Sequence, residues 1–333
     1  MVYRTVGQMI ELEAIMLLIP MLAALIYGEM NIVPAFLIPA VCAGVIGFVI
    51  AHTFPPRDRI LYARDGFMIV ALAWLVLSGI GALPFVFSGE IPSYIDAFFE
   101  TASGFTTTGA SIVRDVEAMS HGTLFWRSFT HWVGGMGVIV LMMAIIPQDS
   151  GTSMYIMKAE MPGPIVGKLV PRIRQTAKVL YLIYLGLTAL QVVLLCVGGM
   201  PLFDSLLHSF GTAGTGGFGI KADCLASYTP YQQWVIAIFM LIFGVNFNLY
   251  YLILIRRARS AFKSEELWAY VGIVLVASGL ICCNIRAVYP ALSDAARRSV
   301  FQVASIITTT GYSTANFDTW PQLSRHILLI LMF

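Results

Sequence analysis

Residues 308–313 read Thr-Thr-Thr-Gly-Tyr-Ser, and this stretch decides the fold because related stretches occur at two earlier points in the chain. Residues 106–111 read Thr-Thr-Thr-Gly-Ala-Ser, and residues 214–219 read Gly-Thr-Gly-Gly-Phe-Gly. Aligned without a gap, these three Thr-Gly strings share the pattern Thr, any, Gly, any, Gly or Ser, and a short apolar segment precedes each of them. A string that recurs at this spacing indicates a repeated structural unit.

The composition predicts a membrane protein. Of the 333 residues, 58% are hydrophobic and 11% are charged, and the mean hydropathy is +0.82. This chain is far more apolar than soluble domains are. A net charge of +2 leaves no basic face for a nucleic acid, so we expect no nucleic-acid partner.

Seven apolar stretches reach about the 20 residues that a helix needs to cross a bilayer. They are residues 6–27, 35–54, 67–88, 122–147, 177–200, 231–255 and 267–285. Three connecting loops are basic, and with Arg4 they hold 13 of the 20 lysines and arginines: Arg57, Arg59, Arg64, Lys158, Lys168, Arg172, Arg174, Lys178, Arg256, Arg257, Arg259 and Lys263. Basic loops face the cytoplasm. We therefore expect a cytoplasmic N-terminus and Thr-Gly strings in re-entrant segments that enter from outside.

A re-entrant helix followed by such a string has the properties of a cation filter. The helix directs the negative end of its dipole at the membrane centre, and glycine permits the backbone angles that turn successive carbonyls toward an axis. Four loops of this kind replace the water around a potassium ion. The predicted ligands are the backbone carbonyls of Thr107, Thr108, Gly109, Thr215, Gly216, Gly217, Thr309, Thr310 and Gly311.

One alternative is that the glycines and threonines are small residues selected for close helix packing. Packing favours small residues spaced along spanning helices, whereas here the same string follows three short segments. These positions carry no ring of carboxylates, which argues against a filter for divalent cations.

The strings resemble those of the Trk/Ktr/HKT superfamily of potassium transporters, most closely the TrkH branch. The resemblance is carried by residues 96–111, 211–219 and 308–321 and extends over most of the chain. It implies an all-α polytopic membrane protein, with two leading helices and then helix, pore loop, helix repeats around a pseudo-fourfold pore. The domains implied are residues 1–56 for the leading helices, 57–150 and 151–263 for two repeats, and 264–333 for a third.

The resemblance also implies a function. The selectivity glycines of the family match Gly109, Gly217 and Gly311, which favours potassium. It further implies a homodimer in the bacterial inner membrane and a cytosolic, nucleotide-binding, TrkA-like regulatory subunit. The sequence ends at Phe333, soon after the third string, so that the family's fourth repeat is missing; we expect a longer transporter.

We therefore predict potassium uptake as the function. A sodium-permeable or sodium-coupled relative is the alternative within transport, and a membrane enzyme is the alternative from another class. The basic segment 154–178 is predicted either to dock a regulatory subunit or to lie on anionic lipid.

Three further sets of residues have open roles. Glu100, His208 and Gln302 occupy one position in the three repeats, where they either brace the string or face the outer vestibule. Gly244, Asn246 and Asn248 either line the pore or form hydrogen bonds between helices. Arg127 and His131 are predicted to make polar contacts between helices or at the membrane interface.

Overall fold

The computed structural model describes residues 2–53, 63–137, 173–254 and 258–333, and every regular element in these ranges is a helix. The helices are α1 (Val2–Ile26), α2 (Val33–Thr53), α3 (Ala63–Gly81), α4 (Leu83–Phe87), α5 (Tyr94–Phe105), α6 (His121–Gly135), α7 (Ile173–Val197), α8 (Leu202–Ala213), α9 (Pro230–Phe243), α10 (Phe247–Leu254), α11 (Ala258–Phe262), α12 (Glu265–Asn284), α13 (Leu292–Ile307) and α14 (Gln322–Ile330). Two compact units, Met1–Tyr181 and Leu182–Phe333, are described separately.

Five of the described helical segments are long and apolar enough to cross a membrane: Val2–Ile26, Val33–Thr53, Asp65–Phe87, Ala177–Val197 and Glu265–Ala287. These five predicted spans are confirmed as membrane-length helices. The predicted span 122–147 begins as α6, and its second part lies outside the described residues. So do Arg57, Arg59, Lys158, Lys168, Arg172, Arg256 and Arg257, with most of the basic segment 154–178.

The predicted span 231–255 is not one continuous helix. Helices α9 and α10 are bent by 85° at the break between them. Asn246 accepts a hydrogen bond from the backbone of Asn248 at 3.0 Å, which caps the start of α10. The hydroxyls of Tyr250 and Tyr270 donate to the carbonyls of Ile242 and Leu241, at the end of α9, at 2.6 and 3.1 Å. These hydrogen bonds provide partners for backbone groups on both sides of the break. The bend is therefore tolerated at membrane depth.

Glycines bring α1 and α2 close together in the first unit. A methyl group on Gly7 would lie 2.7 Å from the backbone nitrogen of Ala51, and one on Gly47 would lie 2.8 Å from that of Glu11. Distances below 3 Å force the backbone apart. The two leading spans therefore pack through small residues, as membrane helices commonly do.

Two carboxylates hold the start of α6. Glu29, in the loop after α1, accepts hydrogen bonds from the backbone N–H groups of His121 and Gly122 at 2.8 and 3.1 Å. Glu90, in the loop after α4, accepts one from the backbone of Ser120 at 3.0 Å. Negative charge at this end complements the helix dipole. Both loops are thereby fixed to the helix that follows the first Thr-Gly string.

We expect Glu29→Ala to destabilise the folded protein by about 1–2 kcal/mol at neutral pH, the usual cost of losing a helix cap. Burial raises the pKa of the Glu29 carboxyl, but hydrogen bonds from His121 and Gly122 bring it below its ordinary value of 4.5. The stabilisation is thus complete above about pH 4.5 and is lost as the pH falls through the lowered pKa. Thermal unfolding in detergent measures it, with the exposed Glu117→Ala as control. Equal losses at neutral and acidic pH would contradict the assignment.

In the second unit, α12, α13 and α14 share an apolar core. It contains the buried residues Val274, Ala277, Ile281, Ile285, Ala295, Val303, Trp320 and Leu328. This core fixes α13, the short helix that leads into the third Thr-Gly string.

Candidate ion site

The three short helices before the strings, α5, α8 and α13, end in the same way. The residues that cap the C-termini of these helices occupy aligned positions. The backbone N–H of the residue after each cap donates to the carbonyl of the residue three positions earlier: Thr107 to Gly104 at 3.0 Å, Thr215 to Thr212 at 3.1 Å and Thr309 to Ile306 at 3.0 Å. In the first two strings a second bond closes the turn, from Thr108 to Ser103 at 2.9 Å and from Gly216 to Gly211 at 3.0 Å. This is a Schellman motif, which normally needs glycine or asparagine after the cap.

Threonine occupies that left-handed position in all three strings. The φ angles are 54° at Thr107, 52° at Thr215 and 57° at Thr309, and in the described ranges Cys224 is the one other non-glycine residue with a positive φ. A β-branched residue in this region is a real outlier and costs about 1–2 kcal/mol. Such strain is kept where the surrounding structure imposes it, often at functional positions.

A glycine with positive φ follows two residues later in each string. The angles are 75° at Gly109, 75° at Gly217 and 85° at Gly311, whereas the intervening Thr108 and Thr310 are not in this region. The sign of φ therefore alternates along each string.

Hydroxyl pairs order the first and third strings. The Oγ1 atoms of Thr106 and Thr108 lie 2.8 Å apart, and those of Thr308 and Thr310 lie 2.7 Å apart. In the second string both aligned positions are glycine, so this pair is lacking there. The three strings share a backbone path but differ in the side chains that hold it.

Tyr312 ties the second and third strings together. It is fully buried, and its hydroxyl lies 3.3 Å from the carbonyl oxygen of His208 and 3.4 Å from that of Phe218. A methyl group on Gly211 would overlap this hydroxyl, and one on Gly217 would overlap the carbonyl oxygen of Thr310. The structure therefore places these two predicted strings in direct contact. The first string belongs to the other unit, Met1–Tyr181.

The aligned polar residues behind the strings do not face an outer vestibule. Glu100, His208 and Gln302 have exposed fractions of 1%, 0% and 3%. Glu100 accepts hydrogen bonds from the Ser111 hydroxyl at 3.0 Å and from the Ile112 backbone at 2.9 Å, which braces the end of the first string. The vestibule-facing alternative is wrong for all three residues, and the bracing role holds for Glu100.

His208 is braced from the loop that follows its string. Its Nε2 atom lies 3.1 Å from the hydroxyl of Tyr228, which donates to the Asp204 carboxylate at 2.9 Å. Asp204 lies in the first turn of α8 and His208 in the middle of the same helix, so the Tyr228 hydroxyl links these two parts of α8. Tyr228 could not be predicted from the sequence, because no local pattern connects it to His208.

A buried ion pair joins α5 to α6. The Nε of Arg127 lies 2.5 Å from Glu100, and the exposed fractions of the two side chains are 5% and 0%. The prediction that Arg127 contacts another helix is therefore confirmed, although its partner was not predicted. The same carboxylate thus holds the first string and the helix behind it.

We expect Glu100→Gln to destabilise the protein by about 3–5 kcal/mol, because it leaves the buried Arg127 guanidinium without this counter-charge. Thermal unfolding in detergent measures the loss, with the exposed Glu117→Gln as control. Adding Arg127→Gln to Glu100→Gln should recover part of the loss, since the uncompensated charge is then gone. Equal effects of the Glu100 and Glu117 variants would show that the pair is unimportant.

Known cation and potassium transport proteins resemble this chain in both sequence and structure. A family model described as "TrkH: Cation transport protein" matches residues 30–270. The Trk system potassium uptake protein TrkH of Salmonella typhimurium is 37% identical over 340 residues, which cover 99% of this chain and 69% of that protein. The Trk system potassium uptake protein TrkG of Escherichia coli is 32% identical over 337 residues, covering 98% and 68%. The crystal structure of the potassium transporter TrkH from Vibrio parahaemolyticus superimposes with a TM-score of 0.86 at 31% identity, over 99% of this chain and 69% of that one.

Proposed function

Because this chain belongs to the TrkH family of cation transport proteins, we propose that it forms the pore of a potassium uptake system in the bacterial cytoplasmic membrane. The family is one of transporters, so the chain is not an enzyme. The observation that carries the proposal is the threefold repetition of a left-handed threonine followed, two residues later, by a left-handed glycine.

This repetition supports a filter for three physical reasons. A simple helix cap would be served better by glycine, so three strained threonines indicate a second requirement beyond the turn. The left-handed threonine and glycine give each string backbone angles outside the ordinary helical and extended regions, which a string that turns its carbonyls toward one axis requires. The preceding helix ends at the string, so that the negative end of its dipole favours a cation there.

The proposed ligands are the backbone carbonyls of Thr107, Thr108, Gly109, Thr215, Gly216, Gly217, Thr309, Thr310 and Gly311. These oxygens replace the water that a potassium ion loses as it enters. The ion is the transported substrate, and no covalent chemistry is required. Close contact between the second and third strings supports this assignment, because carbonyls that coordinate one ion must be held rigidly.

Several finer features of the proposal rest on the family resemblance. The leading helices occupy residues 1–56, and the repeats occupy 57–150, 151–263 and 264–333. The cytoplasmic N-terminus is inferred instead from the basic loops. The protein acts as a homodimer with a cytosolic, nucleotide-binding, TrkA-like subunit that controls the gate.

Ion flux into liposomes that contain the purified full-length transporter, as the cell makes it, tests the function. We expect uptake of radioactive rubidium that potassium inhibits at least tenfold more strongly than sodium does. Liposomes without protein give the background. Equal inhibition by the two ions would instead support the sodium-permeable alternative, and no protein-dependent flux of either ion would refute the proposal.

A further inference from the structure

Helix α1 carries a carboxyl group in the middle of the first unit. Glu13 lies halfway along this membrane-length helix, and its exposed fraction is 0%. A methyl group on Gly81, where α3 ends, would lie 3.1 Å from Glu13 Oε1, 2.8 Å from Thr101 Cγ2 and 3.1 Å from Trp126 Cζ2. The carboxyl therefore sits where α1, α3, α5 and α6 meet, next to the helix that leads into the first Thr-Gly string.

Within the described residues this carboxyl has no charged partner. Neither oxygen makes a hydrogen bond of good geometry, and the polar group that faces it is the backbone of Gly81. Titratable groups on the packed helices include Arg4, near the start of α1, and His121, the first residue of α6. The others are Glu11 and His52, 3.8 Å apart; Asp65 and Asp96 in the first turns of α3 and α5; and Glu100, Arg127 and His131. Of the basic side chains, Arg127 pairs with Glu100, and no described ion pair includes Glu13.

An isolated charge at this place is costly. Moving a carboxylate out of water without a counter-ion costs far more free energy than its packing contributes. Such a group takes up a proton instead. Ionisable groups inside membrane helices are rare and mark ion or proton positions. A metal cation would require several oxygen ligands, whereas a proton requires only the carboxyl itself.

We propose that Glu13 is an intramembrane proton-binding site, where the carboxyl is held in its neutral form at neutral pH. The neutral acid lets α1 pack against the end of α3 and against α5. Loss of the proton places an uncompensated negative charge beside Thr101, one residue from the Glu100 carboxylate that braces the first string. Occupancy by the proton therefore stabilises the packing behind that string.

Infrared difference spectroscopy of the full chain in detergent tests the protonation directly. We expect the wild type to show the carbonyl stretch of a neutral carboxylic acid at neutral pH, Glu13→Gln to lack it, and Glu13→Asp to show it at a shifted frequency. The exposed Glu117→Gln should leave the band unchanged. A wild-type band that persists in Glu13→Gln, or no such band in the wild type, would overturn the proposal.

Stability against pH gives a second measurement that does not depend on ion flux. Because the folded state retains a proton that the unfolded chain releases, the unfolding constant of the wild type should rise by up to about tenfold per pH unit relative to Glu13→Gln. Detergent-mediated unfolding at several pH values between about 4.5, the ordinary pKa of this carboxyl, and neutral pH measures this ratio. A ratio that stays constant with pH would refute the site, whatever the flux experiment shows.

Discussion

Potassium uptake is expected to be lost when Gly217 is replaced by alanine. The backbone at Gly217 has a φ of 75°, a conformation that side chains rarely adopt, and a methyl group there would overlap the carbonyl oxygen of Thr310. The added atom forces apart the second and third strings, whose carbonyls are the proposed ligands. We expect a fall of at least tenfold in rubidium uptake by liposomes, with a smaller preference for potassium over sodium in any flux that remains.

The chain offers a matched control for backbone strain alone. Gly199 has a φ of 81°, but a methyl group there would meet nothing within 4 Å. Gly199→Ala should therefore lose about 1 kcal/mol of stability and retain its uptake. Gly217→Ser extends the comparison, since its hydroxymethyl group meets the same carbonyl. If Gly217→Ala and Gly199→Ala had the same flux and selectivity, the filter assignment would be wrong.

Gly211→Ala is expected to reduce uptake at least tenfold, and Tyr312→Phe should restore much of it. The methyl group of Ala at this position would overlap the Tyr312 hydroxyl, and tight packing in a core costs about 1–3 kcal/mol. Removing the hydroxyl frees that space and loses its contacts with the carbonyls of His208 and Phe218. Flux and thermal unfolding of the two single variants and the double variant measure the coupling.

The control for this double-mutant comparison is a tyrosine whose hydroxyl donates a hydrogen bond to a backbone carbonyl elsewhere in the protein. Tyr231 donates to the carbonyl of Leu194 at 3.3 Å and is half-exposed. Tyr231→Phe should therefore leave the Gly211→Ala defect unchanged. Strictly additive effects of Gly211→Ala and Tyr312→Phe would show that Tyr312 does not hold the second string through its hydroxyl.

Much of the fold was predictable because the signals are local. Five spans followed from apolar length alone, and the comparison with the Vibrio parahaemolyticus structure confirms the all-α polytopic class. The Thr-Gly strings were likewise evident from repetition. Their role as potassium ligands stays a prediction, to be decided by the flux experiments.

Other features depended on contacts between distant residues. The 85° bend after α9 lies in a run whose hydropathy is that of a span, and the hydroxyls of Tyr250 and Tyr270 donate to carbonyls beside it. The brace at Glu100 involves Arg127, which lies 27 residues further along the chain. Neither pairing leaves a periodic signal in the sequence.

The sequence by itself determined that this chain is a membrane protein, how most of its spans are placed, and that one loop design occurs three times, because hydropathy and short glycine-containing strings act over a few residues. Only the tertiary structure decided that Tyr312 fits against Gly211, that Gly217 meets Thr310, and that Glu13 is sealed among four helices. Steric contact and desolvation depend on which groups meet in space, and residues about a hundred positions apart meet only after the chain has folded.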